Sequence, residues 1–195
     1  GDPIDNEKGW EVRKLGEVCD TTSGGTPSSK RTEYYDNGTI NWLRSGEVNK
    51  IFITESELKI TEEGLNNSSA KMLPINTVLI AMYGATVGQV GILKFEASTN
   101  QAICGILPND YLNPVFLYFT LFFHKPYYLE LAMGGAQPNI SQTIIKNTNV
   151  IFPPLSLQTD FANRIEKIEA QKELVKQGIA ETQLLIDYTM DKYFG

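Results

Sequence analysis

Histidine is the usual proton carrier near neutral pH, and this chain has only one, His124. It sits in the aromatic run Phe122-Phe123-His124-Lys125-Pro126, beyond any obvious partner. No Ser/His/Asp or Cys/His set can be assembled around it, so it reads as a packed or surface side chain. Glu57-Leu58-Lys59 has the Glu-x-Lys form of metal-dependent nucleases, but triplets of this form are common. Ser23-Gly24-Gly25-Thr26 lacks the lysine and the spacing of a phosphate loop. The glycine-rich stretch Gly84 to Gly91 is not GxGxxG and opens no helix, so it reads as a turn between strands. An amino-methyltransferase needs Asn or Asp before Pro-Pro and an aromatic after it; Phe152-Pro153-Pro154-Leu155 has the wrong residue on both sides. Cys19 and Cys104 match neither a metal-ligand spacing nor a disulfide framework, which points to a reducing cytosol. The chain is expected to bind rather than to convert, with no metal and no cofactor of its own.

Composition narrows the class further. A hydrophobic content of 42% with 21% charged residues belongs to a globular chain, and 195 residues suffice for one domain plus an extension. No apolar run reaches the ~18 residues of a membrane span. The formal net charge is −6, so no basic surplus advertises a nucleic-acid partner. A DNA-binding role would require the few positive groups to gather on one face, or a partner to carry most phosphate contacts.

Residues of such different kinds need elements to place them. Trp10 to Val18 begins as a strand, and Thr21 to Asp36 is a long loop rich in Gly, Ser and Thr. Short strands are expected at Ile40 to Leu43, Ile51 to Ile53 and Leu58 to Ile60. The apolar run Val78 to Tyr83 is the strongest buried strand, followed by Val87 to Leu93 and Ala102 to Leu107. Pro114 to Glu130 is helical and aromatic-rich, and Gly134 to Pro138 is a loop. Val150 to Phe152 is a last strand, stopped by Pro153-Pro154. Then comes one long helix, 155–193. Phe161, Ile165, Ile168, Val175, Ile179, Ile186 and Tyr193 recur along it in steps of three and four or their sums, with Lys172, Thr182 and Thr189 in the gaps. That stripe is a coiled-coil seam in need of a partner helix. The fold class is therefore α+β: a mixed-sheet domain over 1–153, then a spacer and dimerisation helix over 154–195. Regular βαβ alternation is missing, which argues against a doubly wound nucleotide fold.

Eight short segments occur in a telling order. They are Trp10 to Val18, Gly24 to Ser28, Ile40 to Val48, Thr77 to Ala81, Gly84 to Gly88, Asn100 to Ala102, Gln137 to Ser141 and Pro153 to Gln158. In this order, from Trp10 to Phe194, the chain resembles one half of a specificity subunit of type I restriction-modification enzymes: one target-recognition domain and one spacer helix. Lys192-Tyr193-Phe194-Gly195 at one end and Gly1-Asp2-Pro3 at the other fit the Tyr-Phe-Gly-Asp-Pro junction between two such repeats. The resemblance thus implies one repeat, the second, of a two-repeat chain, with a natural half-length subunit as the alternative.

What the resemblance implies is a non-catalytic, cytoplasmic reader of one half of a bipartite site in double-stranded DNA. Modification subunits would hold the methyl donor and clasp the duplex, a restriction subunit would use ATP, and two antiparallel spacer helices would set the gap between half-sites. About 35 helical residues at ~1.5 Å rise span roughly 50 Å. Arginine suits guanine, and Asn and Gln suit adenine. The implied DNA-binding residues lie in loops: Ser28, Lys30, Arg31, Arg44, Ser45, Lys71, Tyr83, Thr86, Gln89, Gln101, Gln137, Asn139 and Ser141. Arg44 and Gln137 are the foremost base readers, whereas Lys30, Arg31, Lys71 and Lys50 would touch phosphate. Gln101, Asn139 and Ser141 could instead tie loops together, and Arg44 could pair with Glu47. The seam implies a homodimer of the isolated half. The rival class is a protein–protein adaptor that uses the same helix and binds no DNA.

Overall fold

The computed structural model describes residues 4–132 and 139–195. Among them the chain runs through β1 (Glu11–Lys14), the short α1 (Leu15–Val18), β2 (Thr21–Ser23), β3 (Ile40–Leu43), β4 (Phe52–Ile53), β5 (Leu58–Ile60) and α2 (Glu62–Asn66). It continues with β6 (Val78–Ala81), β7 (Val90–Leu93), β8 (Ser98–Thr99), β9 (Ile103–Ile106), α3 (Pro114–Phe123) and α4 (Lys125–Ala132). It ends with α5 (Gln142–Lys146), β10 (Asn149–Phe152) and α6 (Leu155–Phe194).

The strands form three sheets. β2-β9-β6-β7-β4 is mixed: β4 runs parallel to β7 while the other neighbours are antiparallel. β5-β3-β8 is also mixed, and β1 pairs with β10 alone. The central β6, β7 and β9 are buried along their whole length, as their continuous apolar runs demand. The main core joins these strands to α3, α4 and the base of α6. Tyr128 is its largest fully buried side chain, and its hydroxyl meets that of Thr148 at 2.7 Å.

Several expected elements change at their edges. The first strand ends at Lys14, because Leu15 is buried and turns the chain; its amide donates to Thr148, and Glu17 accepts the Lys14 amide. The expected loop from Thr21 to Asp36 gives up Thr21–Ser23 to β2, which finds an edge on β9, and a 3-10 turn forms at Thr32–Tyr34. The strand expected from Val87 starts only at Val90, after a 3-10 turn at Gly84–Thr86. Gly88 has φ +75°, a left-handed backbone that favours glycine. The aromatic helix breaks at His124, since Pro126 lacks the N–H that would bond back to Phe122. The helical turn α5 has no apolar period long enough to announce it; its N-cap is Ser141, which accepts the Ile144 amide.

The last helix is 40 residues long, about 60 Å at 1.5 Å per residue. Its first three turns belong to the domain. Phe161 packs edge-on against Phe116 and Phe119 of α3, and Ala162 is buried. Gln158 is 1% exposed and fully used: its carbonyl accepts the Asn113 amide, and its NH2 donates to Tyr111 and Pro153 carbonyls. Beyond Ile165 the helix leaves the body, with Ile168, Val175, Ile179, Ile186 and Tyr193 exposed.

Candidate functional site

Sheet register gathers the loops at one end of the strands. β2 ends at Ser23 opposite Cys104, and β6 ends at Ala81 opposite Ile103. The segments 24–31, 82–89 and 100–102 therefore all leave or enter the five-stranded sheet on that side. β3 runs parallel to β8 and ends with Leu43 beside Thr99, and the Asn100 amide donates to the Leu43 carbonyl. The segment after β3 thus emerges at the same end. An isolated bridge pairs Tyr83 with Asn139, and the Ile140 amide donates to Met82, which brings 139–141 there too.

A glycine pair locks the first of these loops down. A Cβ on Gly24 would lie 2.1 Å from the Thr99 carbonyl oxygen, and one on Gly25 would lie 2.3 Å from the Ala70 nitrogen. Neither position has room for a side chain. The Gly25 amide donates to Thr99, while its carbonyl accepts the buried Trp42 indole N–H at 3.0 Å. The Thr26 hydroxyl donates to the Gln101 side-chain carbonyl, and the Tyr35 hydroxyl donates to the Pro27 carbonyl.

Ser28, Lys30 and Arg31 are exposed in the loop that this lock holds, and Lys71 follows the Ala70 that touches it. Arg44 and Ser45 leave β3, and Tyr83, Thr86 and Gln89 lie between β6 and β7. Gln101 precedes β9, Asn139 forms the bridge to Tyr83, and Ser141 follows two residues later. Gln137, one of the two foremost base-reading candidates, lies outside the described residues. Some of the polar groups already have internal work. The Thr86 hydroxyl donates to Tyr83, Gln101 accepts from Thr26, and Ser141 caps α5.

Three of the cations here are held by acids. Arg31 pairs with Glu33 at 3.0 Å and lies over the Tyr34 ring, and Lys50 approaches Glu55 at 3.5 Å. Arg44 pairs through Nη2 with Glu57 Oε2 at 2.7 Å, not with Glu47. Glu47 instead accepts two backbone amides, those of Arg44 and Glu57, each at 2.8 Å. Sequence reasoning missed both roles. It also missed Gln142, which donates to the Thr21 hydroxyl and accepts from Ser23, fastening α5 to β2. The residue types gave no signal; only strand pairing puts position 57 beside position 44.

Both cysteines are buried, and the histidine is tied to the backbone. His124 Nδ1 meets its own helix's Thr120 carbonyl at 2.8 Å. Burial pushes the Cys104 thiol up to about 12 and raises that of Cys19, although the Asn109 amide at 3.0 Å works the other way. Among the described residues no three His, Cys, Asp or Glu side chains are grouped to hold a metal, and no helix is long and apolar enough to cross a membrane.

Known proteins share this fold. Residues 7–183 match the family described as the type I restriction modification DNA specificity domain. The specificity subunit of the type I restriction enzyme MjaIX of Methanocaldococcus jannaschii is 28% identical over 183 residues, covering 87% of this chain and 42% of that protein. The HsdS subunit from Thermoanaerobacter tengcongensis superposes with a TM-score of 0.63 at 22% identity, over 95% of this chain and 45% of that one. The S subunit of a type I restriction-modification system from M. genitalium gives 0.67 at 19% identity, over 97% and 46%. The chain spans less than half the length of the relatives it matches.

Proposed function

The chain belongs to the type I restriction modification DNA specificity domain family, and from that premise we propose that it reads one half of a bipartite site in double-stranded DNA. The supporting observation is the gathering of loops from β2, β3, the β6–β7 connection, β9 and 139–141 at one end of the sheets, which carry most of the described candidate side chains. Reading is its whole task in this proposal. Methyl transfer and cleavage belong to modification and restriction subunits, which bind the methyl donor and ATP. Arg44 supplies a donor fork suited to guanine, while Lys30, Arg31 and Lys71 meet phosphates. With a net charge of −6, the chain leaves much of the backbone attraction to those partners.

The projecting part of α6 is the spacer. From residue 166 to 194 it runs about 43 Å, somewhat more than the ~34 Å turn of B-DNA. Its seam is self-complementary when two helices run antiparallel about position 177. Ile168 then faces Ile186, Lys172 faces Thr182, and Val175 faces Ile179. In the same register Tyr193 of a second copy comes opposite Phe161, at the aromatic floor formed with Phe116 and Phe119. A second copy, or the companion half of a two-repeat chain, fits this stripe equally.

The test is reconstitution. Mixed with a modification subunit, the chain should direct adenine methylation to a fixed two-part sequence, read by sequencing the methylated DNA. Methylation with no sequence preference, or no complex at all, contradicts the proposal.

A further inference from the structure

We propose that Arg44 and Glu57 read one G·C base pair as a couple, Arg44 donating to the guanine and Glu57 accepting from the cytosine. The inference rests on the DNA-reading function proposed above and names how one position of the site is chosen. β3 and β5 are antiparallel with Trp42 opposite Leu58, so Arg44 and Glu57 leave the paired strands at the same end. Their side chains meet at 2.7 Å although both are more than half exposed, at 51% and 67%. A surface pair of this kind adds little to stability.

The two backbones are fixed independently of that contact. One carboxylate oxygen of Glu47 accepts the Arg44 amide, and its other oxygen accepts the Glu57 amide. Glu47 thus clamps the roots of both side chains and leaves their tips to each other and to whatever lies beyond.

The tips keep spare capacity. A guanidinium carries five N–H donors and a carboxylate about four acceptor sites, and their mutual bond uses one of each. In the major groove guanine offers O6 and N7 as acceptors, and the paired cytosine offers its N4 amino group next to O6. A donor fork with an acceptor held beside it matches that row of groups. A phosphate-only role fits worse, because the adjoining carboxylate weakens the pull of Arg44 on an anion. The other two ion pairs at this end lack the combination. Lys50 has no planar fork, and Arg31 pairs within its own loop and rests on Tyr34.

The experiment selects randomised duplexes with the chain in complex with a modification subunit and sequences those retained. Arg44→Ala and Glu57→Ala should each relax the same single G·C position by about ten- to hundredfold, the others holding. The double variant should relax it no further than either single change. Thermal unfolding of each variant, matching the parent, shows that the loops remain in place. Relaxation at two different positions overturns the couple, as does a uniform loss of affinity or a Glu57→Ala motif identical to the parent's. If the parent chain itself selects no motif, the DNA-reading function fails and the couple with it.

Discussion

Gln158 shows how much one side chain can hold when all its polar atoms are buried and used. It joins the start of α6 to Asn113, Tyr111 and Pro153 through three hydrogen bonds of 2.9 to 3.2 Å. Gln158→Ala would leave a part-buried amide and two carbonyls unpaired, at a cost of about 2 kcal/mol. For a domain of this size that lowers the melting temperature by roughly 4–8 °C, measurable by calorimetry. An unchanged melting temperature would remove Gln158 from this role. Cys104 makes a second residue-level prediction. Burial raises its thiol from 9.0 to about 12. The folded state therefore keeps a proton that the unfolded chain gives up, so this contribution is complete below pH 9.0 and is lost as pH rises toward about 12. Urea midpoints should fall between pH 8 and pH 11, and Cys104→Val should shallow the fall. A steeper decline in the variant contradicts the assignment.

At the scale of elements, α6 divides its seam between two tasks. Phe161 and Ile165 are half-buried against the domain, which orients the helix as it leaves. Ile168 to Tyr193 stay exposed, a 48–68% exposed stripe for the apolar seam residues. A single helix with such a stripe gains by covering it, at roughly 1.5–3 kcal/mol for each fully buried large aliphatic side chain. Ile168→Glu with Ile179→Glu should abolish self-association in sedimentation velocity at tens of micromolar. The circular-dichroism melt of the domain should persist, because neither residue touches its core. Dimers that survive this pair of charges would place the interface elsewhere.

For the whole molecule, the balance of charge sets how the proposed DNA reading would depend on salt. Each phosphate neutralised contributes about −0.9 to the slope of log affinity against log salt. With about four phosphates held by Lys30, Arg31, Lys50 and Lys71, raising salt from 50 to 200 mM should weaken the chain's own binding on the order of a hundredfold. Adding a modification subunit should restore affinity and steepen the slope. Tight, salt-insensitive binding by the chain alone would contradict that division of labour. Arg31, Arg44 and Lys50 already carry acidic partners, so these bonds are exchanged and not newly made, which also keeps non-specific attraction low.

Much of this was written locally. The seam of α6, the buried run Val78–Ala81 and the stop at Pro153-Pro154 are visible because each depends on neighbours within a turn or a strand. The glycine-rich and Asn-Gln segments could be singled out by order alone. What they do could not, because it depends on pairings across long stretches of chain. Gly25 is glycine because Ala70 passes against it; Glu57 matters because β5 lies beside β3; Phe161 is committed to the domain because α3 reaches it. Periodicity records which face of an element is apolar. Which element comes to cover that face, and which charge ends beside which, is decided only when the sheets close and distant segments share one packed core.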